Sequence, residues 1–231
     1  MLELFRREAS GRQWVAVVTE RDDGDVHPLR VDASTLVRRQ RIASGRTWVM
    51  LDEHHGTAVH HARRSDRSTG ADPIAGVGDV LVGDGDAALA IWAADCAPVV
   101  LFGRSGRTVA CHAGWRGLAA GVLDVAVGQL AERCVAAVLG PCIHPCCYEF
   151  GSVELQRVSE GLGIEQGVIR GRTSAGALAL DVPAAVRAGL AEHHIALDVS
   201  GPCTRCEERW YSHRRGDAER QAIVAWSEVA Q

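Results

Sequence analysis

The sequence predicts a single domain of mixed α/β (α+β) structure over residues 1–231. The chain has 231 residues, of which 47% are hydrophobic, and this is enough to bury one substantial core. Strand-like and helix-like segments alternate loosely along the chain, without a strict βαβ period. No internal repeat, low-complexity tract or linker divides the sequence, so one domain is favoured over two smaller ones.

Short apolar runs rich in β-branched residues, bounded by glycine and aspartate turns, predict strands. These runs are residues 12–20, 46–52, 79–82, 87–95, 98–102, 107–113, 134–140, 195–201 and 221–226. Two longer polar segments predict exposed loops, at residues 61–79 and 202–220.

Helical patterns lie between these strands. Residues 34–44 and 152–163 each start with a serine, and the first of them predicts a helix with a Ser N-cap. Residues 116–133 carry apolar residues on two helical faces, which predicts one helix buried on both sides. In residues 180–194, Pro183 stands near the first turn, where its missing N–H is tolerated.

Charge and composition exclude several classes of function. A net charge of −4 argues against nucleic acid as a partner, because phosphate neutralisation needs a concentrated positive face. The sequence contains no lysine, which excludes Schiff-base catalysis and a Walker-type phosphate loop. No long apolar run or signal-peptide core occurs, so we expect a cytoplasmic protein with no membrane partner. Its eight cysteines are then expected to be reduced thiols or metal ligands.

The stretch ADCAPVVLFGRSGRTVACHAGWRG, residues 94–117, combines an acid, a thiol, an imidazole and a guanidinium. Cys96 lies sixteen residues before His112, and His55 precedes both in a histidine-rich segment at 53–62. Two imidazoles and one thiolate suit a catalytic zinc with an open fourth position. The alternative is that each of the three residues is buried or exposed for unrelated packing reasons, because ligands so far apart have no local signature.

Two cysteine-rich segments form a second candidate. CIHPCC contains Cys142, Cys146 and Cys147, and CTRC contains Cys203 and Cys206. Four of these thiolates could hold a structural zinc, whereas ordinary reduced thiols are the simpler interpretation. PCTRC also matches half of the nucleobase deaminase signature, but the H-x-E half is absent from the sequence.

Arginines provide candidate anion-binding groups. Arg116 lies in HAGWRG just before the predicted helix, where free backbone N–H groups and a guanidinium would grip a phosphate. Arg214 in SHRR is a second candidate, whereas Arg215 is expected to be a solvated charge.

The segments EHHG, GDVLV, ADCAP, HAGWRGL, GPCIHPCCYEFG, LDV, CTRC and SHRR, in this order, resemble the bacterial YfiH-like laccase-domain family. The resemblance covers about residues 47–226, and residues 1–46 diverge from the family pattern. It implies a single-domain four-layer α-β-β-α sandwich with mixed β-sheets. That family was first described as multicopper polyphenol oxidases and is now understood as purine nucleoside-processing enzymes.

The resemblance implies that zinc is held by His55, Cys96 and His112. It also implies phosphorolysis of adenosine, inosine, guanosine and methylthioadenosine, with adenosine deamination as a second activity. In this reading Cys96 is part of the catalytic centre, Asp95 is the nearest candidate proton shuttle, and Arg116 and Arg214 position the phosphate.

Two alternatives stay open. A His₂Cys set also suits copper, which would support a laccase-type polyphenol oxidase, although the H-x-H pairs typical of coupled copper clusters are absent. The protein could also be an inactive family member, because the usual N-terminal motif is missing and His213 replaces the tyrosine of the family SYRR motif. The sequence leaves the oligomeric state undecided.

Overall fold

The computed structural model of the chain describes residues 1–63, 66 and 74–230. Its strands, in chain order, are β1 (Leu2–Ala9), β2 (Arg12–Val18), β3 (Trp48–Asp52), β4 (Val59–His61), β5 (Ile74–Val77), β6 (Val80–Asp84), β7 (Ala88–Ala93), β8 (Ala97–Gly103), β9 (Arg107–Ala113), β10 (Cys134–Leu139), β11 (Arg170–Arg172), β12 (Leu178–Leu180), β13 (Val199–Ser200) and β14 (Gln221–Val229). The helices are α1 (Ala33–Ser44), α2 (Trp115–Ala119), α3 (Val122–Leu130), α4 (Ser152–Leu162), α5 (Gln166–Ile169) and α6 (Val182–Ala191).

Twelve of these strands form two six-stranded sheets. The first sheet has the order β1-β2-β14-β7-β3-β5, and the second has the order β13-β10-β8-β9-β6-β4. Most neighbours are antiparallel, but β3 runs parallel to β5 and β7, and β4 runs parallel to β6. Both sheets are therefore mixed, as expected from the resemblance.

The sheets pack face to face between two helical layers. Side chains such as Leu89, Phe102 and Ile223 fill the space between the sheets. Leu36 of α1 packs with the outer face of the first sheet, and α2, α3, α4 and α6 cover the outer face of the second. The four-layer α-β-β-α sandwich is confirmed.

Alternating burial explains why the central strands are apolar on both faces. In β8, Val99 and Leu101 face the helices, whereas Val100 and Phe102 face the first sheet. Because successive side chains of a strand point to opposite faces, a strand inside this sandwich must be hydrophobic at every position.

The helix predicted over residues 116–133 is wrong. The chain forms two helices, α2 and α3, separated at Gly121, which has a left-handed φ of 80°. A residue in the left-handed conformation cannot continue a right-handed helix. For the same reason α3 ends early, at Leu130, because the next residue, Ala131, has a φ of 54°. The predicted Ser N-cap of the first helix is also wrong, because α1 begins at Ala33 and the Asp32 carboxylate caps it by accepting the Thr35 N–H at 3.0 Å.

The predictions of strands and loops also need correction in other segments. β1 was not predicted, and it pairs with β2 through a two-residue turn in which Ser10 and Gly11 both have positive φ. Only Val199–Ser200 of the predicted strand 195–201 is extended. The predicted loop 61–79 contains β5, and its residues 64, 65 and 67–73 lie outside the described residues.

Within the described part of the chain, no helix has the length and apolar character needed to cross a membrane.

Candidate metal centre

The structure brings His55, Cys96 and His112 together. One ligand atom from each residue lies within 4.8 Å of the others. His112 is on β9 and Cys96 immediately precedes β8, the neighbouring strand, whereas His55 follows β3 of the other sheet. His55 and Cys96 therefore lie in connections between the two sheets, β3 to β4 and β7 to β8, and the group is located where the sheets meet.

Two strained connections deliver these ligands. His55 and Asp95 have positive φ values of 59° and 93°, which are uncommon for residues with a side chain. Asp79 accepts the backbone N–H groups of His55 at 2.8 Å and Gly56 at 2.7 Å. The carbonyl of Asp95 accepts the Ile143 N–H at 2.9 Å. These long-range hydrogen bonds hold both turns in place.

Asp79 also orients His112. Its carboxylate lies 2.9 Å from His112 Nδ1, and the residue is 1% exposed. With Nδ1–H donated to the carboxylate, Nε2 is left free to bind a metal, which is the carboxylate–histidine arrangement of many zinc sites. Burial opposes ionisation of Asp79, but the bonds from His112, Gly56 and His55 lower its pKa. The sequence reading placed Asp79 at the start of a strand and missed this role.

Glu53 is a second residue that the sequence reading missed. Its Oε1 accepts the Trp92 N–H at 3.0 Å, and its Oε2 lies 3.5 Å from His112 Nδ1. That Oε2 is buried and has no hydrogen-bond partner among the described residues. Burial raises the pKa of Glu53 to about 8. A carboxyl group that is buried beside the candidate metal ligands and incompletely bonded makes this position a candidate functional residue.

The environment of Cys96 favours the thiolate, which is the form that binds metals. Burial opposes ionisation, but the charge of His112 and hydrogen bonds from both histidines lower the pKa of Cys96 to about 6. Gly114 allows the close packing of this group, because a Cβ at that position would lie 2.6 Å from His55 Nδ1 and 3.3 Å from Cys96 Sγ. The donor set and its spacing therefore fit a zinc ion.

Two cavities meet at these ligands. One, of about 260 Å³, is lined by Glu53, Trp92 and all three metal-ligand candidates. The rings of His27 and Trp92 lie against each other in its wall, with their centroids 4.5 Å apart and their planes tilted by 30°. The other, of about 290 Å³, is lined by His55, Cys96, Trp115, Arg116, Tyr148 and Arg214. His213, which replaces the family tyrosine, borders both cavities.

The remaining predicted site residues line the second of these cavities. The guanidinium groups of Arg116 and Arg214 lie over the rings of Trp115 and Tyr148, at 4.6 Å and 5.1 Å from the ring centroids. Asp95 accepts the Thr204 hydroxyl at 2.6 Å and the Arg214 backbone N–H at 2.7 Å. All six residues predicted for the site thus lie in one region, and their roles stay predictions.

The amino-acid sequence matches a known protein family. The family model described as multi-copper polyphenol oxidoreductase laccase matches residues 19–228. The chain belongs to this family. One relative is "Purine nucleoside phosphorylase YlmD" of Geobacillus stearothermophilus. The two sequences are 34% identical over 185 residues, and this aligned region covers 73% of this chain and 67% of that protein.

A second relative in the family is "Purine nucleoside phosphorylase PA4543" of Pseudomonas aeruginosa. It is 32% identical over 213 residues, which cover 87% of this chain and 82% of that protein. The crystal structure of YlmD from Geobacillus stearothermophilus is similar with a TM-score of 0.78 and 27% identity, covering 98% of this chain and 99% of that one. The predicted resemblance to the YfiH-like laccase-domain family is confirmed.

Proposed function

We propose that this chain is a zinc-dependent purine nucleoside phosphorylase. The observation that carries the proposal is the junction of the metal-ligand group His55, Cys96 and His112 with a cavity that contains Arg116 and Arg214. A phosphorylase needs a site for phosphate beside a site for the nucleoside, and the two adjoining cavities offer both. The names of the relatives support the same activity.

The two arginines are suited to hold phosphate. Each guanidinium lies over an aromatic ring and lines the cavity, and a guanidinium group can bind an anion such as phosphate through two parallel hydrogen bonds. Asp95 supports this arrangement, because its carboxylate holds the backbone of Arg214. We therefore assign Asp95 a positioning role, in addition to the proton-shuttle role predicted from its place in the sequence.

The proposed reaction replaces one bond at the sugar with another. A phosphate oxygen forms a bond to C1′ of the nucleoside while the bond from C1′ to N9 of the purine breaks. The bonding pair leaves with the base, which takes up a proton from solvent, and the products are ribose 1-phosphate and the free base. The transition state resembles an oxocarbenium ion, and Arg116 and Arg214 hold the attacking phosphate in line with it. Zinc bound by the three ligands would supply Lewis acidity.

Adenosine deamination is the second activity in this proposal. Water adds to C6 of the purine and ammonia leaves, so adenosine becomes inosine without consuming phosphate. The cavity that favours it is lined by the neighbouring His27 and Trp92 rings and by the metal ligands, so a flat purine base could pack against these rings beside the metal.

The test is incubation of zinc-loaded protein with adenosine, with and without phosphate, followed by chromatography of the purines and ribose 1-phosphate. We expect adenine and ribose 1-phosphate only with phosphate, and inosine in both cases. His112→Ala and Cys96→Ser should abolish all products. Failure to form any product with zinc fully bound would contradict the proposal and favour an inactive family member.

Arg116→Ala tests the phosphate site. Loss of a charge-assisted hydrogen bond should raise the KM for phosphate roughly 10- to 100-fold and leave phosphate-independent inosine formation unchanged. Arg157→Ala, at an exposed arginine on α4, is the matched control and should behave like the wild type. Phenol oxidation that scales with bound copper and is lost in Cys96→Ser would instead support the polyphenol oxidase alternative.

A further inference from the structure

Four cysteines outside the candidate metal centre form a second compact group. Cys146 and Cys147 lie in the short 3-10 helix Pro145–Cys147, and Cys203 and Cys206 lie in the CTRC turn. One sulfur from each lies within 4.8 Å of the others, and no cysteine is in a disulfide. The fifth cysteine of these segments, Cys142, is fully buried in the core and stands apart from the group.

We propose that these four thiolates bind a structural zinc ion. Four of the separations between their sulfurs are 3.7, 3.8, 3.5 and 3.5 Å. A tetrahedral zinc with Zn–S bonds of about 2.3 Å requires sulfurs about 3.8 Å apart. These four separations are close to the edges of the tetrahedron that zinc demands, and the other two, from Cys203 to Cys147 and to Cys206, are within 4.8 Å. The sulfurs are too far apart for disulfides, which need about 2.05 Å.

The backbone around the group is organised as in a closed metal site. The His144 N–H points at Cys203 Sγ at 3.4 Å. The Thr204 N–H donates to the carbonyl of Cys142 at 3.0 Å, and the Cys142 N–H donates to the carbonyl of Pro202 at 3.2 Å. The two cysteine-bearing turns are thus already paired, and all four positions around a zinc would be filled by the protein, as in structural sites.

The surrounding charge also fits. Four thiolates and one zinc ion carry a net charge of −2, which requires nearby cations. Arg205 is in the CTRC turn itself, and Arg205 and Arg214 line the same surface cavity as Cys146 and Cys147. Guanidinium groups beside the sulfurs would stabilise an anionic metal–thiolate centre, as they stabilise other anions.

This zinc would stabilise the wall of the cavity that is proposed above to hold phosphate. The turn that contains Cys146 and Cys147 also contributes Ile143 and Tyr148 to the larger site cavity. The CTRC turn contributes Thr204, which holds Asp95 at 2.6 Å. A metal that joins the two turns would therefore maintain the position of residues on both sides of that cavity, without touching the substrate itself.

Metal content measured for separately purified variants tests the proposal. We expect about two zinc equivalents per chain in the wild type, one in His112→Ala and one in the double variant Cys147→Ser/Cys206→Ser. Cys134→Ser, at a cysteine outside both groups, is the control and should keep two. If the wild type holds one equivalent and His112→Ala holds none, the proposal is overturned. One equivalent in the wild type that is lost only from the double variant would support this site and contradict the zinc dependence proposed above.

X-ray absorption at the zinc edge keeps the proposal testable if the double variant does not fold. The zinc bound to His112→Ala should show only sulfur neighbours, at about 2.3 Å. Nitrogen or oxygen neighbours, iron in place of zinc, or a loss of two mass units that marks an oxidised cysteine pair would each overturn it. In the same protein, a strong chelator should lower the Tm by several degrees, and an unchanged Tm would contradict a structural role.

Discussion

Asp79 supports two of the three residues of the candidate metal centre without being a ligand itself. Its two carboxylate oxygens bind the backbone at His55 and Gly56 and the ring of His112. It therefore fixes two of the three ligands at once. It holds the backbone of His55 and sets the tautomer of His112. No local pattern in the sequence marks this residue, because its partners are 23 to 33 residues away.

Asp79→Asn should weaken zinc binding by about 10- to 100-fold, because the amide cannot accept three hydrogen bonds in the same geometry. The measurement is competition for zinc with a chromophoric chelator at neutral pH. Asp84→Asn is the matched control, at the far end of strand β6, which follows Asp79 directly. The Asp84 side chain is 71% exposed and pairs only with Arg107 among the contacts the structure describes. Equal zinc affinity in Asp79→Asn and wild type would show that the carboxylate does not orient the ligands.

At the scale of elements, the loop 202–220 is more ordered than its composition predicts. Asp217 accepts hydrogen bonds from the Ser212 N–H at 2.8 Å, from Arg21 at 2.8 Å and from Arg215 at 2.7 Å. Arg215 is thus a partly buried partner of Asp217 and of the Trp210 carbonyl, and the expectation of a solvated charge is wrong. These contacts hold the short helix His213–Arg215, which presents Arg214 to the cavity.

Asp217→Asn should destabilise the protein by about 1–3 kcal/mol at pH 7, because it removes hydrogen bonds to a charged group. Burial opposes ionisation, but the bonds from Ser212, Arg21 and Arg215 lower the pKa of Asp217 below its ordinary value of 3.8. The stabilisation is therefore complete above about pH 3.8 and is lost as the pH falls through the lower folded-state pKa.

Urea unfolding of both proteins at pH 7 and at decreasing pH measures this difference. The gap between wild type and variant should be constant down to about pH 4 and shrink below it. Asp124→Asn is the control, because the Asp124 side chain is 62% exposed, and it should change stability by less than about 0.5 kcal/mol. A gap that widens in acid would contradict the assigned sign.

At the scale of the whole molecule, the site depends on the packing of one sheet against the other. His55 and Cys96 lie in connections between the two sheets, whereas His112 is on a strand of the second. Phe102 is fully buried between the sheets, and the ring of Phe5 stacks on it at 5.7 Å. The layer that Phe102 fills therefore sets the spacing between the sheets whose connections carry these ligands.

Phe102→Ala should lower the free energy of unfolding by about 3–5 kcal/mol, because it removes a large buried ring and leaves a cavity. Phe5→Ala is the control at the partly exposed partner and should have a clearly smaller effect. The measurement is urea unfolding of the two variants in the presence of excess zinc. Equal losses would indicate that the layer between the sheets is not the main source of stability.

Much of the fold was predictable because strand signals are local. The strand predicted over 107–113 matches β9 in both bounds, and the segments 98–102 and 134–140 match β8 and β10 within one residue at each end. β1 was missed because most of its residues are exposed and its pattern is polar. The break between α2 and α3 was missed because Gly121 fits a helical pattern until its backbone conformation is known.

The sequence by itself determined the mixed α/β class, because strand periodicity is a property of short segments. It pointed to His55, Cys96 and His112 through the donor chemistry of histidine and cysteine and through the family motifs that contain them. Only the tertiary structure decided that these three residues come together, that Asp79 and Glu53 support them, that two cavities meet at them, and that four of five cysteines form a compact group while Cys142 joins the core. These facts depend on distances between residues far apart in the chain, and such distances arise only when the two sheets and their turns pack together.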